Sequence, residues 1–182
     1  MHAPTFFDTK VFSDSITRPS NTTAYAAEDV ISEVTSDDHF TFATPIASDT
    51  AGLTTDDAVI NPRSSTRSFV LNWVEVVLDA VPATNLGAVL LLLHTDIADV
   101  ADNAALAITD AEVRNNLLTA ISIVSTDWLT VGSSMYQRVV VNIPLVLPAA
   151  ATGQLFGILK TTNAYTPASA GVILVRLGIT RD

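Results

Sequence analysis

Over residues 68–81 apolar and polar positions alternate in the two-residue rhythm of a strand. Phe69, Leu71 and Trp73 fall on one face, and Val70, Asn72 and Val74 on the other. Glu75 and Asp79 then share the face of Trp73 and Val77, so the alternation is imperfect. Residues 86–94 form an unbroken apolar run, the pattern of a strand buried on both faces. Further strands are predicted over 6–12, 23–34, 40–46, 120–124, 136–147, 153–160 and 171–178. Val139, Val140, Val141 and Ile143 are β-branched, which suits a pleated, half-buried surface. The last of these strands is too apolar to be a free edge and is expected mid-sheet or against another subunit.

One segment has helix chemistry. Thr109-Asp110-Ala111-Glu112 fits a capping box, and Val113, Leu117 and Leu118 supply an apolar stripe, which predicts a short helix near 110–118. Strands separated by turns, with one short helix, indicate an all-β fold, an antiparallel β-sandwich. A jelly roll is the first expectation and an immunoglobulin-like sandwich the second. Residues 1–16 are expected as an N-terminal arm and 17–182 as a single sandwich domain.

Composition sharpens this picture. The 182-residue chain has no cysteine, which excludes disulfides, thiolate catalysis and cysteine-ligated metals. Its net charge of −10 argues against a grip on nucleic-acid phosphate. Charged residues make up only 15% against 48% hydrophobic, where about 25% charged is usual; a large subunit interface is the expected reason. The acids are concentrated at the front: residues 1–60 hold ten acids and two bases. Apolar residues recur throughout that segment, which favours strands of the same sandwich over a wholly solvated arm. The start has no signal-peptide pattern, and the 86–93 run falls short of the ~20 residues a membrane helix needs.

Catalytic constellations are weak. His2 is near the terminus, His39 follows Asp37-Asp38, and His94 precedes Asp96 by two residues. A histidine–carboxylate pair would suit general base chemistry. The plainer expectation is an exposed turn for His39 and a strand exit into solvent for His94. No nucleophile elbow, Walker loop or dinucleotide fingerprint occurs. Asp96, Asp99, Asp102 and Asp110 offer oxygen ligands for calcium, but without the EF-hand spacing they read as a solvated acidic loop. Asp37-Asp38 and Asp56-Asp57 read the same way. Trp73 is expected in the core, and Trp128 near a turn, where it would serve a sugar platform. Asn21-Thr22-Thr23 matches a glycosylation sequon, which matters only in a eukaryotic secretory setting. No cofactor, metal or catalytic residue is assigned, and no enzyme activity is expected.

Three pieces carry a family resemblance. Thr17-Arg18-Pro19-Ser20-Asn21-Thr22-Thr23-Ala24-Tyr25-Ala26-Ala27-Glu28-Asp29-Val30-Ile31 resembles the opening of small virion proteins of tailed bacteriophages. Asp102-Asn103-Ala104-Ala105 and Ile108-Thr109-Asp110-Ala111-Glu112 resemble the family's central piece. Gly153-Gln154-Leu155-Phe156-Gly157-Ile158-Leu159, Asn163-Ala164-Tyr165-Thr166-Pro167 and Val175-Arg176-Leu177-Gly178 resemble its C-terminal part. The pieces occur in family order and bracket nearly the whole chain. Glu28 departs from the pattern, where a small residue or glycine is expected. The resemblance implies a head-decoration (cement) protein that is made in the bacterial host cytoplasm and resides on the capsid surface of the virion. It implies the major capsid protein as partner and a homotrimer, with no nucleic-acid or membrane partner. Phe6, Phe7, Phe12, Arg18, Pro19, Tyr25 and Tyr165 are then the interface candidates. The arm, with Phe6, Phe7, Val11 and Phe12, would add a strand to a neighbour's sheet edge. Residues 14–57 would face outward, away from packaged DNA. The alternative is a virion appendage, a head fibre or tail protein, that binds a host receptor or glycan through Trp128, Tyr165 and adjacent loops.

Overall fold

A computed structural model describes residues 8–18, 22–33, 39–42, 68–148 and 154–181. In chain order these form β1 (Asp8–Thr17), β2 (Val30–Ile31), β3 (Phe40–Phe42), β4 (Ser68–Leu78), β5 (Ala88–Leu93), α1 (Asp110–Asn116), β6 (Leu117–Ile123), β7 (Leu129–Val131), β8 (Ser134–Val146), β9 (Leu155–Thr161) and β10 (Val172–Arg181). The described residues are mainly β, in two antiparallel sheets with one short helix. The first sheet has the order β1-β10-β4-β8-β7, the second β2-β9-β5-β6, and β3 also pairs with β9.

The pairing is nested. β1 pairs with β10, β2 and β3 with β9, β4 with β8, and β5 with β6. The front half of the chain therefore runs antiparallel to the back half, like a long ribbon folded over. The inward faces of both sheets meet in one core that includes Leu71, Val74 and Val76 of β4, Leu90 and Leu92 of β5, and Val175 and Leu177 of β10.

β5 is buried on both sides, as its unbroken run predicts. Leu90 and Leu92 enter the main core, while Leu93 joins a second cluster with Val30, Ile97 and Ile158. Val100, Leu106 and Ile108 pack on that second cluster from the segment after β5. The chain thus covers the outer face of its second sheet with its own loop. β10 lies between β1 and β4, as its composition requires.

Several expectations change. Residues 8–16 belong to β1, paired over its whole length with β10, rather than to a separate arm. Phe12 and Ile16 explain this: they alternate into the core opposite Leu177 and Ile173. Residues 1–7, with Phe6 and Phe7, lie outside the described residues, as do Pro19, Asn21, Asp37-Asp38 and Asp56-Asp57; of 14–57 only part is described. The helix carries the predicted capping box: the Thr109 hydroxyl accepts from Glu112 N at 3.2 Å, and Thr109 N donates to the Glu112 carboxylate at 2.8 Å. It ends at Asn116 and buries no residue, because Leu117 and Leu118 already belong to β6.

Val34 lies outside the described residues, and of 23–33 only Val30–Ile31 is strand, because the backbone turns before it. Glu28 sits there at φ 76°, the left-handed region that glycine enters without steric cost. The departure noted in the sequence thus falls on the residue with the special backbone. The Glu28 carboxylate pairs with Lys160 on β9, next to the turn.

Trp73 is also displaced from its expected place. Asn72 is an extra residue in β4, between Leu71 and Trp73, which pair with Ile179 and Gly178 on β10. Across the sheet, Leu71 pairs with Ile143 and Trp73 with Val140, and Asn142 takes a left-handed φ of 51° in the β8 irregularity. A bulge shifts the alternation by one. Phe69 and Leu71 therefore face inward together with Val74, Val76 and Leu78, and Trp73, Glu75 and Val77 turn to the outer face.

Candidate functional site

The outer face of the first sheet is where exposed apolar side chains gather. Register aligns Val11 of β1, Gly178 of β10, Trp73 of β4 and Val140 of β8 in one row. The next row holds Ser13, Arg176, Glu75 and Arg138, and the one after it Leu174, Val77, Tyr136 and Leu129. Val131 and Val146 extend the same face through their partners Ser134 and Ser68. Val140 and Val146 are 68% and 65% exposed, with Val11, Leu129 and Val131 also above half. Among the described residues the other exposed large aliphatics, Val81, Val113 and Val124, stand singly on loops and on α1.

Three charges interrupt this surface and find one another. Glu75 is 5% exposed, held between two arginines from the strands on either side. Arg138 donates to Glu75 Oε2 through Nε at 3.0 Å and Nη2 at 2.7 Å. Arg176 donates through Nη1 to Oε1 at 2.7 Å. Burial pushes the Glu75 carboxyl up, but hydrogen bonds from Arg176 and Arg138 and their charge outweigh it, so its pKa lies below the ordinary value. Arg138 also stacks over the Trp73 ring, 4.5 Å from its centroid. Beside the triad lies a groove of about 570 Å³, walled by Val77, Val131, Ser134 and Tyr136. Two guanidiniums and one carboxylate give this patch a net positive charge in a chain of −10. The sequence signal for it was a charge inside each of three apolar stretches, Glu75, Arg138 and Arg176; strand order, which decides that they are neighbours, was not legible.

Three of the predicted interface residues meet elsewhere, inside the chain. Arg18, Tyr25 and Tyr165 are all buried. The Arg18 guanidinium lies 4.3 Å from the Tyr25 ring centroid and pairs with Asp102, which also accepts from Tyr25 Oη at 2.7 Å and from Ser32 N at 3.3 Å. Tyr25 and Tyr165 stack with centroids 5.7 Å apart, and their backbones bond to each other. Burial pulls the Arg18 pKa down and pushes that of Asp102 up, against their mutual attraction. Tyr165 is pushed up to about 12, chiefly by burial. Side chains from three distant segments, Arg18 with Tyr25, Asp102, and Tyr165, are thus joined in one polar knot. It ties the chain to itself and leaves these side chains no outward surface. Phe12 is half-buried against the core.

His94 sits where expected, at the exit of β5, and His39 does not sit in its expected exposed turn. His94 Nε2 donates to the Asn115 carbonyl at 2.7 Å, and its Nδ1 accepts from Thr95 Oγ1 at 2.9 Å, so it fastens the end of α1 rather than pairing with Asp96. His39 is buried, not an exposed turn, with Nδ1 3.7 Å from an Asp96 oxygen. Asp102 leaves the supposed acidic loop for the knot with Arg18. Among the described residues no three His, Asp or Glu side chains gather as a metal site. Trp128 packs partly on the core and donates Nε1–H to the Leu86 carbonyl at 2.7 Å, which commits the proposed sugar platform to the fold. No helix of the described residues is long and apolar enough to cross a membrane. No protein-family model matches the chain, and no curated protein matches its sequence.

Proposed function

We propose that the protein is a non-enzymatic virion protein of a tailed bacteriophage that decorates the outside of the head. It binds the major capsid protein as a homotrimer and reinforces the shell by burying surface. The observation that carries this reading is the outer face of the β1-β10-β4-β8-β7 sheet, with Val11, Leu129, Val131, Val140 and Val146 in the open. Exposed apolar side chains gathered on one sheet face among polar ones mark an interaction site. The second sheet has its outer face covered by the chain's own loop, so the first is the face left for a neighbour. The nested strand pairing reads as a jelly roll, an architecture of viral shell proteins, which fits the same role. The resemblance of the three sequence pieces points the same way, and the knot of Arg18, Tyr25, Asp102 and Tyr165 gives those pieces a common structural reason.

The test is removal from the virion. Heads assembled without the protein should form, yet release DNA at lower temperature, and added protein should restore resistance. Heads that stay equally robust without it contradict a cementing role.

A further inference from the structure

We infer that the groove between Arg138 and Arg176 receives a carboxylate side chain, an Asp or Glu flanked by aliphatic residues, from the protein on which this sheet face docks. This inference rests on the docking reading above and names the chemistry of the contact. Glu75 is almost wholly buried and neutralises only one of the two guanidiniums that grip it. Each arginine has five N–H donors. Arg138 gives two of them to Glu75 and Arg176 gives one, so donors remain on both for a second acceptor. Glu75 and the Trp73 ring together fix the Arg138 plane, so little ordering is left for a ligand to impose.

The walls decide which anion fits. Val77, Val131, Met135 and Tyr136 line the groove together with Ser134, both arginines and Glu75, whose charge the arginines outnumber, and Leu129 and Val140 lie on the same face. A segment with aliphatic neighbours on either side of its acid buries apolar surface at both ends while the acid meets the guanidiniums. One excess positive charge balances one carboxylate. A phosphate dianion would leave a negative charge among apolar walls, which is costly. The chain as a whole carries a net charge of −10, so this locally positive patch is where a partner's acid meets attraction rather than repulsion.

The test uses the intact protein with two probes, acetyl-Val-Glu-Val-amide and acetyl-Val-Gln-Val-amide, followed by NMR at the arginine Nε–H groups and the Val131 amide. The glutamate peptide should shift Arg138, Arg176 and Val131, with affinity at least about tenfold above that of the glutamine peptide. Arg176→Gln should lose that preference while keeping its melting temperature within a few degrees, since Arg138 still pairs with Glu75. No shift, equal binding of the two peptides, or equal shifts with inorganic phosphate overturns the carboxylate site. Shell binding measured in parallel separates the two readings. Full shell affinity in Arg176→Gln overturns the carboxylate contact and leaves docking standing. Wild-type protein that binds the glutamate peptide but no phage head removes docking and leaves the carboxylate site.

Discussion

The indole of Trp73 lies over Gly178, its in-register neighbour on β10, so closely that a Cβ at 178 would stand 2.1 Å from Cε2. The missing side chain lets the ring lie flat on the sheet, where Arg138 covers it. Gly178→Ala should lift Trp73 off the sheet and loosen Arg138. The expected cost is about 1–3 kcal/mol, the range for overfilling a packed site. Chemical denaturation gives the cost, and a red shift in tryptophan emission reports the move. Unchanged stability and emission would place Trp73 elsewhere.

The buried knot makes a second prediction. Asp102→Asn leaves the Arg18 guanidinium buried without a counter-charge, a situation that costs about 3–5 kcal/mol. Replacing both partners by apolar residues, Arg18→Met with Asp102→Leu, should cost less than Asp102→Asn alone. Thermal unfolding of the three proteins decides it. A double variant as weak as the single one would mean that the knot's hydrogen bonds to Tyr25 and Ser32, rather than its ion pair, hold this end of the fold.

Tyr165 sets a limit at alkaline pH. Its phenol is neutral in the folded state up to about 12, against 10.0 in the ordinary case. Between those values the unfolded chain has lost the proton and the folded chain keeps it, so stability falls as pH rises through this window. Below pH 10 the group contributes no slope. Denaturant midpoints from pH 9 to 12 should decline more steeply in wild type than in Tyr165→Phe, at about this pH range. Parallel slopes would show that Tyr165 ionises freely.

The legible parts of the fold were those set by local pattern. The apolar run of β5 gave its burial on both faces, the greasy last strand its central place, and Thr109 with Glu112 the start of α1. What the pattern hid is non-local. Asn72 shifts Trp73 to the outer face at a bulge that breaks the register against both neighbouring strands, with Asn142 in a left-handed conformation on one of them. Arg18 and Asp102 meet across 84 residues of chain. Residues of β1 looked like a detached arm because their partner strand is the last in the sequence. The candidate surface was hidden for the same reason: Glu75, Arg138 and Arg176 are isolated charges until strand order makes them neighbours.

The most direct measurement of the central claim is co-sedimentation of the protein with phage heads stripped of it. Val131→Glu with Val140→Glu puts two charges on the outer sheet face, and Val113→Glu puts one on the exposed side of α1. All are surface changes, expected to alter stability by no more than about 0.5 kcal/mol each. The account predicts that wild type and Val113→Glu pellet with the heads while the double variant stays in the supernatant. A double variant that pellets as fully as wild type would contradict it.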